Sequence, residues 1–350
     1  MMKSSETERE DSKIILLANG VSDDGDTYLK IPKFYTINLH LLEGMMMKAT
    51  EIDLQLPAGT CISGIEGWCN GLLCLSSSSK TDLFLSNPTT RKHWQLPSPL
   101  PKKKTESIIS PSQEICVYGF GYDGTGDDYK VIRVTEDYLN QGIGVLKPIS
   151  QEVQVYSQKS NSWKHLPQFP YFIGNRRWPN PGKLVNHALH WVMEDSDDDV
   201  IAAFDLRTEQ YHTVPLPPEI VERKESANPS SKSPSWPWIL EVLEGFLCVM
   251  KRQDSTTLNL WIMEEYGVKD SWTEFVFQKF PSVVCPNPVP ISISNSRRRK
   301  GEIFFHDNRY VFSYDAESQM LRKVVFFPSY IASSGYPLIS SSLVQPGPSC

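Results

Sequence analysis

Short runs in which apolar and polar residues alternate recur along the chain, each meeting a polar turn and then a second run centred on an aromatic residue. A period of two marks a strand with one buried face, and no segment between the runs carries the spacing of an amphipathic helix. The clearest copies close in LFLSNPTTRKHWQLP (83–97), VQVYSQKSNSWKHLP (153–167), AAFDLRTEQYHTVPLP (202–217), LWIMEEYGVKDSWTEFVF (260–277) and FSYDAESQMLRKVVF (312–326). A looser copy, FYTINLHLLEGMMMKATEIDLQLP, precedes them. Tyr156 to Trp163, Phe204 to Tyr211 and Tyr314 to Leu321 are each seven residues apart. An odd step suits a hairpin, whose turn resets the inward face. Trp94 and Trp163 both read as residues of the apolar core on this pattern.

Another apolar pair lies upstream of most of these hairpins: GLLCL, YGFGYD with YKVIRV, KLVNHALHWVM, LEVLEGFLCVM and EIFFHDNRYV. Two hairpins make a four-stranded sheet, which cannot cover both its faces alone. About six such units in succession predict an all-β fold, a β-propeller of four-stranded blades. The alternative is a large β-sandwich. The expected organisation is a disordered polar N-terminus over 1–12, the propeller over 13–330 and a flexible tail over 331–350.

In a propeller the links between blades and the middle link of each blade share one face, and the hairpin tips share the other. The tips here are short, among them Thr89-Thr90-Arg91, Lys159-Ser160-Asn161 and Arg207-Thr208-Glu209, whereas the links over 98–114, 168–181, 218–237 and 279–299 are long. Scaffolds place recognition on long loops, so the link face is the candidate binding surface. Its candidate partner-binding residues are Arg176, Arg177, Trp178, Trp236, Trp238, Arg297, Arg298 and Arg299, with the tryptophans as anchors. Lys102-Lys103-Lys104 and the acidic run Glu194 to Asp199 fall on the same side.

Composition narrows the classes. A chain of 350 residues, 40% hydrophobic, can bury a large core, and a net charge of −6 argues against a dedicated binder of nucleic acid or anionic membrane. The start is polar where a secretory signal would turn apolar, and the seven cysteines form no CxxC pair, which fits reduced thiols in the cytoplasm or nucleus. Gly119, Gly121 and Gly124 match GxGxxG, but a β-branched run follows where a dinucleotide site needs a helix, so close strand contact explains them better. His187 and His190 stand three apart, on opposite faces of a strand, and do not make a shared metal site; His190-Trp191 reads as blade core. The acidic run lacks the glycine and terminal glutamate of a calcium loop and reads as a solvated link. No nucleophile, base or metal constellation emerges, so no cofactor is expected and the protein is read as a non-enzyme. A propeller enzyme acting on carbohydrate is the alternative from another class.

GWCNGLLCL with LSNPTTRKHWQLP, then YGFGYDGTGDDYKVIRV, VQVYSQKSNSW, GKLVNHALHWV, IAAFDLRTEQYHTVPLP and LEVLEGFLCVMKRQDSTTLNLWIMEEYGVKDSWTEF together resemble the F-box-associated interaction domain of plant F-box proteins, in order and spacing over roughly residues 13–330. The family is described as kelch-like, although the paired glycines of kelch repeats are missing. The resemblance implies a substrate receptor of an SCF-type ubiquitin ligase, binding a target protein for ubiquitination. SKIILLANG, which resembles the first strand of the interaction domain, follows only a short polar start where an F-box would stand. A Skp-type adaptor is therefore expected as a partner only if an F-box is supplied elsewhere, and the alternative is a stand-alone scaffold or decoy.

Overall fold

Turn chemistry decides where each repeat folds back. In the first hairpin of three repeats the reversal is a two-residue turn with both residues left-handed: Asn70–Gly71, Asn186–His187 and Glu244–Gly245. That backbone matches the twist of the strands it joins. In the second hairpin a carboxylate, amide or hydroxyl residue opens the turn, and a residue with positive φ closes it four positions on. The pairs are Asn87 with Arg91, Ser157 with Asn161, Asp205 with Glu209 and Asp315 with Gln319. Asn87 Oδ1 accepts from the Thr89 and Thr90 amides, as Asp205 Oδ1 does from Arg207 and Thr208. This fixed turn generates the seven-residue step, with Tyr156 opposite Trp163, Phe204 opposite Tyr211 and Tyr314 opposite Leu321.

The computed structural model describes residues 13–20, 31–38, 47–78, 80–102, 113–140, 146–174, 180–195, 198–220, 238–282, 288–293, 302–306, 310–326 and 341–344. The N-terminal segment holds β1 (Lys13–Gly20), β2 (Ile31–Asn38), β3 (Met47–Lys48) and β4 (Thr50–Ile52). Blade 2 comprises β5 (Ile62–Cys69), β6 (Leu72–Ser77), β7 (Leu83–Asn87) and β8 (Lys92–Gln95). Blade 3 comprises β9 (Gln113–Asp123), β10 (Asp128–Asn140), β11 (Leu146–Ser157) and β12 (Ser162–Leu166). Blade 4 comprises β13 (Lys183–Val185), β14 (Ala188–Asp195), β15 (Asp198–Asp205) and β16 (Tyr211–Val214). Blade 5 comprises β17 (Ile239–Leu243), β18 (Phe246–Arg252), β19 (Leu258–Met263) and β20 (Trp272–Phe277). Blade 6 comprises β21 (Val289–Ile293), β22 (Glu302–His306), β23 (Tyr310–Asp315) and β24 (Met320–Phe326), and β25 (Ser341–Val344) follows.

These strands make six sheets, five of four strands and one of five, and the inner strands touch in ring order from β25 through β5, β9, β13 and β17 to β21. The chain is a β-propeller. Two crossings tie its ends together. β25 pairs antiparallel with β1 as the inner strand of blade 1, and β3 pairs in parallel with β24, giving blade 6 its fifth strand. Two expectations change accordingly. The 331–350 segment is not wholly a tail, because it supplies β25, and one blade exceeds four strands. The stretch 1–12 lies outside the described residues.

The core lies between blades, as a sheet with two apolar faces requires. Ile132, Val134 and Val153 meet Leu189, Trp191 and Phe204 between blades 3 and 4, and Ile201 and Val214 meet Leu240, Val249 and Trp261 between blades 4 and 5. The glycines of GFGYDG serve this packing: a Cβ on Gly119 would sit 2.7 Å from Trp191 Cζ2, and one on Gly121 2.6 Å from Leu206 Cδ1.

Hydrogen bonds reinforce four of the seams in one repeated form. Trp163 Nε1 donates to Pro97 O at 2.7 Å, Tyr211 Oη to Pro167 O at 2.5 Å, Trp272 Nε1 to Pro215 O at 3.0 Å and Tyr314 Oη to Gln278 O at 2.9 Å. In each, an aromatic of one blade reaches a carbonyl just past the outer strand of the blade before it. Two Leu-Pro endings, Leu96-Pro97 and Leu166-Pro167, with Pro215 and Gln278 in the corresponding places, thus lie at the receiving end of a clasp between blades.

Trp94 departs from the reading that placed it in the core. Counted from the turn, the residue of blade 2 equivalent to Trp163 is His93, which pairs with Ser86. Trp94 pairs with Leu85 one step further along and is 46% exposed, whereas Trp163 is 7% exposed.

Candidate protein-recognition face

The long links leave the propeller on the side opposite the clamped tips, and the one between blades 3 and 4 has the most elaborate base. Its chemistry begins inside β10, where alternation sets Ile132, Val134, Glu136 and Tyr138 on one face, so a carboxyl enters an apolar row. Glu136 is fully buried. Such a group needs donors, and it has them: Gln151 Nε2 at 2.8 Å, the Ile173 amide at 2.8 Å and the Tyr138 hydroxyl. The Tyr138 hydroxyl in turn accepts from the Gly174 amide at 2.9 Å. Gln151 also takes the Phe169 amide on its Oε1 and gives its Nε2 to Tyr171 O. Burial raises the Glu136 carboxyl above the ordinary carboxylate range, Glu194 adds to the rise, and the three donors act against it.

The link is also stitched to the middle hairpin of blade 4, where Phe172 and Glu194 exchange two backbone hydrogen bonds, at 3.1 and 2.6 Å. Gly174 has φ +79°, and a Cβ there would fall 2.0 Å from the Glu194 carboxyl carbon, so only glycine passes. On the far side, the Gly182 amide donates to Tyr118 O at 2.7 Å. Arg176, Arg177 and Trp178 lie between these two fixed points and outside the described residues, as do Trp236, Arg297, Arg298 and Arg299.

Two expectations about this face are corrected. Trp238, taken as an exposed anchor, is 5% exposed in the core between blades 4 and 5, with Nε1 donating to Asp199 Oδ2 at 2.9 Å. The acidic run is not simply a solvated link. Glu194 pairs with Asp199 and Asp195 with Asp198 as the ends of β14 and β15, and Asp199 holds Trp238. Lys102, first of the basic run, is committed to Asp137 and Glu114, each at 2.6 Å. Among the described residues no group of three or more His, Cys, Asp or Glu could hold a metal ion.

The groups sequence reading passed over are Glu136, Tyr138 and Gln151. A charged residue in phase with Ile132 and Val134 was the available signal. Two reactive side chains elsewhere, those of His190 and Cys69, are held inside the fold. His190 is buried, with Nδ1 bonded to Lys183 O and Nε2 to the Tyr266 hydroxyl, and burial lowers it to about 4. Burial pushes the Cys69 thiol up to about 11.

A six-bladed ring with an anchored link face is what the chain presents for comparison with known proteins. The family model described as the F-box associated beta propeller domain matches residues 37–329. The chain belongs to this family. Among known proteins it is 30% identical to F-box protein CPR1 of Arabidopsis thaliana over 295 residues, covering 79% of this chain and 67% of that one. It is 25% identical to the F-box/kelch-repeat protein At3g23880 of the same plant, covering 61% of this chain and 52% of that one. The chain thus spans between half and about two thirds of these relatives. Among solved structures, TolB of Acinetobacter baumannii aligns with a TM-score of 0.46 at 8% identity, over 89% of this chain and 63% of its own. No helix among the described residues is long and apolar enough to cross a membrane.

Proposed function

We propose that this F-box-associated propeller is the target-recognition part of an SCF-type ubiquitin ligase, holding a protein on its link face. The observation that carries the reading is the family match over residues 37–329, on a ring whose links rise from one side. The cage of Glu136, Tyr138 and Gln151 at Gly174 and the Gly182 amide on Tyr118 O support it, because anchoring both ends of a loop lowers the entropy a partner must remove from Arg176, Arg177 and Trp178 on binding. By their place in the links of the sequence, Arg297, Arg298, Arg299 and Trp236 are proposed as further contacts. A Skp-type adaptor joins through an F-box, so coupling to the ligase is a separate step from target binding.

The test is affinity purification from plant cells of the tagged chain, with and without Arg176→Ala, Arg177→Ala and Trp178→Ala combined. Proteins retained by the first and lost from the second, at equal melting temperature, are the expected targets. Identical protein sets from both would refute the link face. Retention of targets without a Skp-type adaptor would make this chain a binder uncoupled from ubiquitination.

A further inference from the structure

We propose that the outer edge of blade 5, strand β20, is a second docking surface, which takes an extended segment of a partner protein carrying alternating apolar and basic residues. This goes beyond the link-face reading and does not depend on it.

An edge strand offers unpaired backbone groups, and proteins blunt that invitation with short strands, lysines, prolines or bulges. The other outer strands follow the rule. β4 has three residues. β8 has four, opens with Lys92 and is followed by Pro97. β12 carries Lys164, and Pro167 follows it. β16 has four residues and runs directly into Pro215. β24 carries Arg322 and Lys323, its register with β23 is broken between Val311 and Phe312, and β3 covers its end. β20, WTEFVF, has six residues, none of them Lys, Arg or Pro, and its register with β19 is unbroken.

The strand also displays apolar area. Phe275 is 40% exposed and Val276 49%, and as neighbours in a strand they point to opposite sides of the sheet, so both flanks of an added strand would meet a hydrophobic side chain. The free backbone groups can be assigned. The Glu264 amide donates to Ser271 O at 3.1 Å in the same register, which fixes the alternation along the pair. Thr273, Phe275 and Phe277 therefore bond inward to β19, and the N–H and C=O of Trp272, Glu274 and Val276 point outward. Glu264, Glu265, Asp270 and Glu274 are exposed around this edge against Lys269 and Lys279, four acidic groups to two basic, with Glu264 accepting from Thr273 and Glu274 from Asn259, and this acidic balance sets the charge of the occupant as basic.

The experiment uses the purified chain and a capped octapeptide of alternating valine and lysine, titrated by fluorescence and followed by amide hydrogen exchange. Saturable binding is expected, with new protection at Trp272, Glu274 and Val276. Val276→Pro removes an outward N–H without touching the ladder to β19, and Phe275→Lys adds charge to the edge. Each is expected to weaken binding about tenfold or more at unchanged melting temperature, and replacing the peptide lysines with glutamates is expected to do the same. If Val276→Pro fails to fold, Phe275→Lys and the exchange pattern decide. Absence of saturable binding, or affinity indifferent to the folded variants, would overturn the proposal. So would wild-type dimers that the same substitutions dissolve, because the occupant would then be a second copy of this chain. The link-face variant plays no part in this titration, so the two readings fail separately.

Discussion

Trp94 and Trp163 occupy look-alike places in HWQLP and SWKHLP, yet the structure gives them opposite roles, and their replacement separates the two. Trp163 is 7% exposed, packs in a tilted arrangement with its ring centroid 5.5 Å from that of Tyr156 and donates its indole N–H to Pro97 O at 2.7 Å. Trp163→Ala leaves a cavity at the seam of blades 2 and 3 and strands that carbonyl, so a loss of about 3–5 kcal/mol is expected. Trp163→Phe keeps most of the packing and loses the hydrogen bond, which is worth about 1 kcal/mol. Trp94 is 46% exposed and no such bond holds it, so Trp94→Ala should cost about 1 kcal/mol or less.

Thermal and urea unfolding of the three variants beside the parent chain supply the readout. At about 2–4 °C per kcal/mol for domains of 150–250 residues, and less for a larger one, Trp163→Ala should lower Tm by roughly 5–10 °C. Trp163→Phe and Trp94→Ala should each stay within about 2 °C. Equal losses for the two alanine variants, or a larger one for Trp94→Ala, would show that the outer strand of blade 2 is out by one residue. The repeated clasp would then have no basis at that seam.

Three further expectations follow from buried groups and ring closure. His190 lies at about 4 in the fold against an ordinary 6.5, so the folded chain binds fewer protons than the unfolded one between those values. Stability should fall by about 3 kcal/mol as pH drops from 6.5 towards 4, and urea melts of His190→Gln should lack that component; an unchanged pH dependence would refute it. Glu136 is raised by burial above its ordinary 4.5, so the fold holds its proton more tightly and stability should decline as pH rises from 4.5 through the raised value. Glu136→Gln should flatten that decline, and an identical slope would count against a raised Glu136. Ending the chain before Ser341 removes the inner strand of blade 1 and its four paired positions with β1, so a lower Tm and faster proteolysis are expected. Unaltered values would mean that the ring closes without β25.

Most of the architecture was legible because the local rules agree with one another. The turn that opens with Asn87, Ser157, Asp205 or Asp315 fixes the seven-residue step, the step fixes which aromatics pair, and the pairs mark the repeats. Trp94 misled because the repeat was aligned on the tryptophan and not on the turn, and the turn is the physical ruler. Closure of the ring was not legible. β25 has four residues and β3 two, too few to show a period, and only the rest of the ring gives them an edge to join. Trp238 was misread for a related reason. Its SPSWPW surroundings look like a loop, and what buries it is Asp199 and the seam of blades 4 and 5, both far from it in sequence.

The same contrast bears on where recognition sits. Charge and tryptophan content drew attention to the links, but Lys102, Asp199, Glu194 and Trp238 are all used by the propeller itself. A conspicuous residue in a link can therefore be a rivet of the propeller, and exposure has to be argued for each one. Arg176, Arg177 and Trp178 retain their claim because the residues on either side, Gly174 and Gly182, are the ones held by Tyr138 and Tyr118. Fixing the ends of a loop by such costly means, including a buried carboxyl, lowers the entropy a partner must remove on binding, and that is the ground on which the three residues between them are proposed as contacts.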